Sequence, residues 1–233
     1  MLDNAFVEAF NLIVSGSPEL TEILWLSVQV SLTALFFSIT LGLPIGTSLA
    51  ITEFPGKRAC VTILNSLMGL PPVVVGLLVY LLLSRSGPLG VLGLLYTPTA
   101  MVIAQVVLIT PIIAALAYQV MDDLHREYRD LFQSLRIPLS KAVPTYLWDA
   151  RYSLVTSILA GFGRAISEVG AVIIVGGNID HLTRVMTTAI ALETSKGELA
   201  IALALGIILL TLALIVNAAV TTVRTLGLRN AYV

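Results

Sequence analysis

Arg164 and Glu168 stand four residues apart inside an otherwise apolar stretch, residues 152–176, of a 233-residue chain. At positions i and i+4 of a helix they share a face and are close enough to pair. A charge at the centre of a bilayer costs about 2.5–3.5 kcal/mol on insertion scales, so such groups face a bundle interior or a cavity. Two roles fit: an ion pair that fixes helix packing, or a charged element beside a polar path or at a subunit interface. Gly163, Ser167 and Gly170 around the pair supply small surfaces for close packing. Other chemistries find no residues. No G-x-x-x-x-G-K-[ST] phosphate loop occurs, and Gly161-Phe162-Gly163 falls within an expected span. His125 and His181 have no companion ligands and read as solvated surface residues on opposite sides. The single cysteine, Cys60, excludes an intrachain disulfide and a multi-cysteine metal site. No nucleophile–base pair stands out. The chain is therefore expected to have no catalytic residues, no metal and no cofactor of its own.

The elements that carry these residues are those of a membrane protein. The chain is 57% hydrophobic and 12% charged, with a mean hydropathy of +0.96. This is too apolar for a soluble globule, and a net charge of −1 argues against nucleic acid as a partner. Gaps between charged residues place apolar helices at about 23–52, 59–84, 94–121 and 199–223, each long enough to cross. With 152–176 as the fourth in chain order, five spans are expected and the fold class is all-α, a polytopic bundle. Lys57, Arg58, Arg126, Arg129, Arg136, Lys141, Arg151, Arg224 and Arg229 fall on one side, and Arg85, Arg184 and Lys196 on the other. The bias makes the 122–151 loop and the C-terminus cytoplasmic and the N-terminus external. Residues 1–20 lack the basic start of a signal peptide. Leu2, Phe6, Phe10 and Ile13 recur at helical spacing opposite Asp3, Asn4, Glu8 and Asn11. They read either as an amphipathic helix on the membrane or as a frayed start packed on the bundle. The membrane-spanning body is expected over 21–233.

Three segments break the apolar pattern. Pro71 and Pro72, flanked by Gly69 and Gly76, lie near the middle of the second span and must bend it. Freed carbonyls at that depth are tolerated against protein or a water-lined cavity. The bend is either an ordinary membrane kink or the lining of a path. The 122–151 loop holds ten charged residues and a helical period in Leu124, Tyr128, Leu131, Phe132 and Leu135. Pro138 should break that helix, Ser140 cap a short second one, and Pro144 end or kink it. Its apolar face must pack on the bundle or on another protein, unless the loop is a solvated connector. Residues 177–198 form the longest external loop. Met186 to Leu192 is apolar enough to dip back as a short gate-like helix, or to serve as an outer docking surface.

At these residues the chain resembles permease subunits of type I ABC importers. Their cytoplasmic loop carries E-A-A-x-x-x-G-x9-I-x-L-P; here Asp130-Leu131-Phe132-Gln133-Ser134-Leu135-Arg136 aligns with its start, with Asp for Glu and Arg136 for Gly. Leu147-Trp148 lies about where Leu-Pro is expected, without the proline. Gly69-Leu70-Pro71-Pro72-Val73-Val74-Val75-Gly76 resembles the L-P-P-x-V-x-G run of the molybdate, tungstate and sulfate branch. Gly163-Arg164-Ala165-Ile166-Ser167-Glu168-Val169-Gly170-Ala171 resembles its R-A-x-x-E-x-G-A segment. Gly176-Gly177-Asn178 and Thr187-Thr188-Ala189-Ile190 continue the similarity, which is nearest to tungstate permeases and covers about 20–225.

The resemblance implies two copies around a central path in the inner membrane and an ABC ATPase dimer carrying ATP and magnesium. It also implies an external oxyanion-binding protein. ATPase coupling would fall on Asp130, Leu135, Arg136, Ile137, Pro138, Leu139, Ser140, Lys141, Ala142 and Val143. The path or gate would involve Pro71, Pro72, Val73, Arg164, Glu168, Thr187 and Thr188. For the charged pair a structural and gating role is favoured, because a permease that ligated its oxyanion tightly would not release it. The competing readings are an ion-coupled secondary transporter, a sulfate-type permease and a membrane scaffold. A secondary transporter is expected to show paired broken helices and coupling-ion sites in an internal repeat, and the sequence shows no such repeat.

Overall fold

In the computed structural model, residues 2–231 are described, apart from the side chains of 2–4, 139, 140 and 226–231. The described residues form α1 (Leu2–Ser15), α2 (Pro18–Ile51), α3 (Lys57–Leu67), α4 (Pro72–Leu83), α5 (Pro98–Ser134), α6 (Leu139–Asp149), α7 (Arg151–Ile166), α8 (Gly170–Gly176), α9 (Met186–Lys196) and α10 (Leu199–Ala231). No strand occurs among them. Three continuous helices are long and apolar enough to cross a membrane, α2, α5 and α10 up to Thr225. The pairs α3–α4 and α7–α8 bring the number to five if each bent pair is one span.

Those two spans are not continuous helices, which corrects the expectation at 59–84 and 152–176. Between α3 and α4 the chain turns by 99°. Each proline lacks an N–H and forces the residue before it out of the helical region. Pro71 is extended, with ψ 124°, and Pro72 becomes the first residue of α4, where a proline costs no hydrogen bond. Between α7 and α8 the chain bends by 54°, at Ser167–Val169, without any proline.

The 122–151 segment also differs from expectation. Its first helix is no separate element but the end of α5, which runs unbroken to Ser134. The charges at Asp122 and Asp123 mark where the apolar stretch stops, and a helix need not end there. Helix α6 starts at Leu139 with Pro138 at its N-cap, so Ser140 is not the cap. Pro144 lies inside α6 and does not end it. One proline removes a single backbone bond, and the next turns hold through Ala150 N–H to Tyr146 O at 2.8 Å.

The chain divides into two compact units. Unit one comprises 1–34, 71–107 and 162–216, and unit two 35–70, 108–161 and 217–233. In unit one, Ala9, Leu20, Ile23, Ile166, Met186, Ala189, Ala204 and Leu205 form a buried cluster, with Leu12 and Ile13 against it. Helix α1 thus packs on its unit through Ala9, Leu12 and Ile13, while Phe6, Val7, Phe10 and Val14 stay exposed. The stripe read from the sequence is divided: Ile13 faces inward, Phe6 and Phe10 outward. In unit two, Ala50, Ala117, Met121, Ala142, Tyr146, Ala150 and Leu154 form the core beneath α6.

Candidate functional site

The α7–α8 break is built by side chains, beginning with Glu168. Its carboxylate is buried, 3% exposed, and pairs with the Arg164 guanidinium at 2.7 Å; Arg164 is 36% exposed. The other carboxylate oxygen accepts the Ala171 N–H at 3.1 Å, supplying an acceptor to the first turn of α8. The Glu168 carbonyl accepts the Thr187 hydroxyl at 2.8 Å. Because α7 stops at Ile166, the Ala165 carbonyl loses its helical partner. It instead accepts the Glu168 N–H at 3.3 Å and the buried Gln105 amide at 3.1 Å. The sequence reading missed Gln105. It carries no charge, so mapping by charge gaps passes over it; a polar amide in the apolar first half of α5 was the available signal.

Helix α9 locks onto the same cluster. The Met186 N–H donates to Ser27 Oγ at 2.8 Å. Thr188 is fully buried, and its hydroxyl accepts the Val185 N–H at 3.1 Å, closing the first turn of α9. Ser27, Ser31, Gln105, Glu168 and Thr187 help line a cavity of about 10 Å³. That is room for about one water molecule. A tetrahedral oxyanion does not fit, so in this conformation the cluster acts as a latch between α2, α5, α7, α8 and α9. Pro71 and Val73, by contrast, are exposed, and Pro72 is half-buried. Helix α4 packs on α8 at Gly76, where a Cβ would come within 2.8 Å of the Ala171 Cα. Only a glycine permits that approach.

In the loop before α9, His181 is solvent-exposed yet tied down. Its Nδ1 lies 2.8 Å from a Glu22 carboxylate oxygen, joining the loop to the start of α2. The hydrogen bond to Glu22, and the Glu22 and Asp180 charges, push the imidazole above its usual value against an opposing effect of Arg184. A raised folded value means the contact contributes fully below the ordinary histidine range, about 6.5. It is lost as pH rises through the folded value. Amide exchange over residues 179–184, corrected for intrinsic rates, should therefore be slower at low pH and quicken as pH rises. In His181→Gln the corrected rates should be flat; an unchanged pH profile would show that another group holds the loop.

In unit two, Tyr146 is 1% exposed and stacks on Tyr128 and Phe132, with ring centroids 6.1 and 5.5 Å apart. His125 meets it edge-on at 5.8 Å, with Nδ1 3.2 Å from the phenol oxygen. His125 is thus half-buried rather than a free surface residue. Ala142, Tyr146 and Ala150 turn the same face of α6 to the core, and Ile137 packs beside them. Asp130, Leu135, Arg136, Pro138 and Lys141 are exposed, and Val143 is half-buried. The side chains of Leu139 and Ser140 lie outside the described residues. The apolar residues at the end of α5 divide: Leu124, Tyr128 and Phe132 pack inward, whereas Leu131 and Leu135 face out with Trp148.

Arg136 has a φ of 52°. The left-handed conformation costs a non-glycine residue about 1–2 kcal/mol, which explains a glycine at this point of the pattern described above. Arg136→Gly is expected to raise stability by about 1 kcal/mol, since the strain relieved exceeds the chain entropy lost. A lower thermal midpoint in the purified chain would show that the arginine's contacts outweigh its strain.

Three helices long and apolar enough to cross, up to five crossings if each bent pair is one span, make this a helical multi-pass membrane protein. The chain belongs to the family of binding-protein-dependent transport system inner membrane components, whose pattern matches residues 42–224. It is 41% identical over 215 residues to the tungstate uptake system permease protein TupB of Peptoclostridium acidaminophilum, covering 92% of this chain and 94% of that one. It is 42% identical over 204 residues to a probable anion ABC transporter permease protein of Haloferax volcanii, covering 85% and 88%. At 25% identity over 211 residues it also matches the sulfate transport system permease protein CysW of Synechocystis, covering 86% and 75%. The chain is a non-catalytic, multi-pass subunit of the inner membrane, working in a transport system with an ATPase and a binding protein.

Proposed function

We propose that the chain forms the pathway by which tungstate enters the cytoplasm, with molybdate as the next candidate. The observation that carries this is the 39–42% identity, over 71–92% of the chain, to two tungstate uptake permeases and an anion permease. Two copies would enclose the path, with the exposed Pro71 and Val73 turned to it. The N-terminus would be external and the C-terminus cytoplasmic, a reading supported by the placement of lysine and arginine. ATP and magnesium would reside on the partner ATPases, and the 130–143 segment would transmit their closure. ATP binds one conformation more tightly, and that difference drives the cycle. Opening would require the Arg164–Glu168–Thr187 latch to rearrange, because it leaves no room for an oxyanion.

Uptake into proteoliposomes containing the chain, its ATPase and its binding protein tests this. Tungstate accumulation should require ATP and exceed sulfate accumulation at equal concentrations. Uptake driven by an ion gradient without ATP would overturn the mechanism, and preferential sulfate uptake would overturn the substrate.

A further inference from the structure

We propose that the two faces of α3 form a binding site for one anionic phospholipid, its phosphate in a cationic cleft and an acyl chain in the adjoining apolar groove. The cleft, of about 740 Å³, is lined by Lys57, Arg58, Arg126 and Arg129 with the acids Glu53 and Asp122. Glu53 is matched to Lys57 at 3.3 Å and Asp122 to Arg126 at 2.6 Å. Arg58 and Arg129 make no ion pair among the described residues, so the cleft holds two cations in excess. The first turn of α3 adds to them: it has no acidic residue and no side-chain cap at Gly56. The Lys57 N–H donates to the Phe54 carbonyl at 3.2 Å, and the Arg58 and Ala59 amides that follow present the positive end of the helix.

The groove supplies the other half of the ligand. It measures about 600 Å³ and is lined by Ile45, Leu49, Cys60, Ile63 and Leu67, with Phe54 common to groove and cleft. Phe54, Ile45 and Ile63 are 41%, 48% and 59% exposed. An apolar groove that meets a cationic cleft at one shared side chain matches a molecule with both an acyl chain and an anionic head. A free oxyanion uses only the cleft, and a neutral lipid uses only the groove. The site stands on α2, α3, α5 and the connection between α2 and α3, whichever oxyanion the chain transports.

Cys60 is the only cysteine, is exposed, and lines the groove, so it reports on the site in the full chain. The chain is labelled there with bimane and placed in phosphatidylcholine vesicles. Brominated phosphatidylglycerol or brominated phosphatidylcholine is then titrated in. Two unpaired cations at about fivefold each predict about 25-fold preference for phosphatidylglycerol. Arg58→Gln with Arg129→Gln should abolish the preference, and Arg85→Gln, outside the cleft, should leave it. Equal quenching by both lipids would reduce the site to non-selective lipid contact and overturn the proposal. So would loss of the preference on adding sodium tungstate, which would assign the cleft to a free oxyanion. Absence of quenching by either lipid, as when a second copy covers the groove, would also overturn it.

Discussion

Arg164→Leu is expected to damage the protein more than Glu168→Gln does, although each removes one half of the same ion pair. The two partners differ in access to water: the Glu168 side chain is 3% exposed and that of Arg164 36%. Without Arg164, a carboxylate is left in the interior with no counter-charge. Breaking a buried pair in this way costs about 3–5 kcal/mol. Without the Glu168 charge, Arg164 can turn to water, and the glutamine carbonyl still accepts the Ala171 N–H. That change should cost about 1.5–3 kcal/mol, the range of a lost charged hydrogen bond. The double variant Arg164→Leu with Glu168→Gln should recover stability relative to Arg164→Leu alone, because no charge is then stranded. Thermal unfolding of the four purified chains reads these differences, and ATP-driven uptake reads their effect on the cycle. An Arg164→Leu chain as stable as Glu168→Gln would show that the carboxylate reaches solvent and that the latch is not closed.

The latch also shows where sequence reading stops. Placing spans by charge gaps works because the bilayer penalises charge over its whole thickness, so α2 and α10 lie close to 23–52 and 199–223. The same rule cannot find breaks inside a span. The α3–α4 break was legible as a bend, since Pro71 and Pro72 act locally through missing donors, although a turn of 99° exceeds a kink. The α7–α8 break was not legible. Its cause is a tertiary set of acceptors: Glu168 for Ala171, and Ala165 for Gln105 from a helix sixty residues earlier. Thr188 illustrates the same limit. The motif marks it as a residue of interest, whereas its burial and its bond to Val185 place it in the fold of α9. In the 122–151 segment the periodicity located an apolar face. It could not divide that face into Phe132, packed on Tyr146, and Leu131 and Leu135, left outside.

That division leads to the prediction with the clearest separation of outcomes. Tyr146→Ala removes the ring on which Tyr128, Phe132 and His125 converge, and truncating a buried aromatic costs about 3–5 kcal/mol. Helix α6 would lose its seat, so ATPase co-purification and ATP-driven uptake should both fall, while the apolar spans still insert. Tyr146→Phe keeps the ring and loses only the contact with His125, at about 1 kcal/mol. Burial pushes the phenol further above its ordinary range, so it stays neutral and neither effect should vary with pH near neutrality. Trp148→Ala provides the contrast. Trp148 is 68% exposed, as Leu131 and Leu135 are exposed, and its ring meets the Arg151 guanidinium at 4.6 Å rather than any core residue. Its loss should leave the thermal midpoint of the isolated chain unchanged and still weaken ATPase co-purification. If Tyr146→Ala retains uptake at the level of Tyr146→Phe, the seating of α6 does not carry the coupling. If Trp148→Ala leaves ATPase binding intact, the outward apolar face is not where the partner docks.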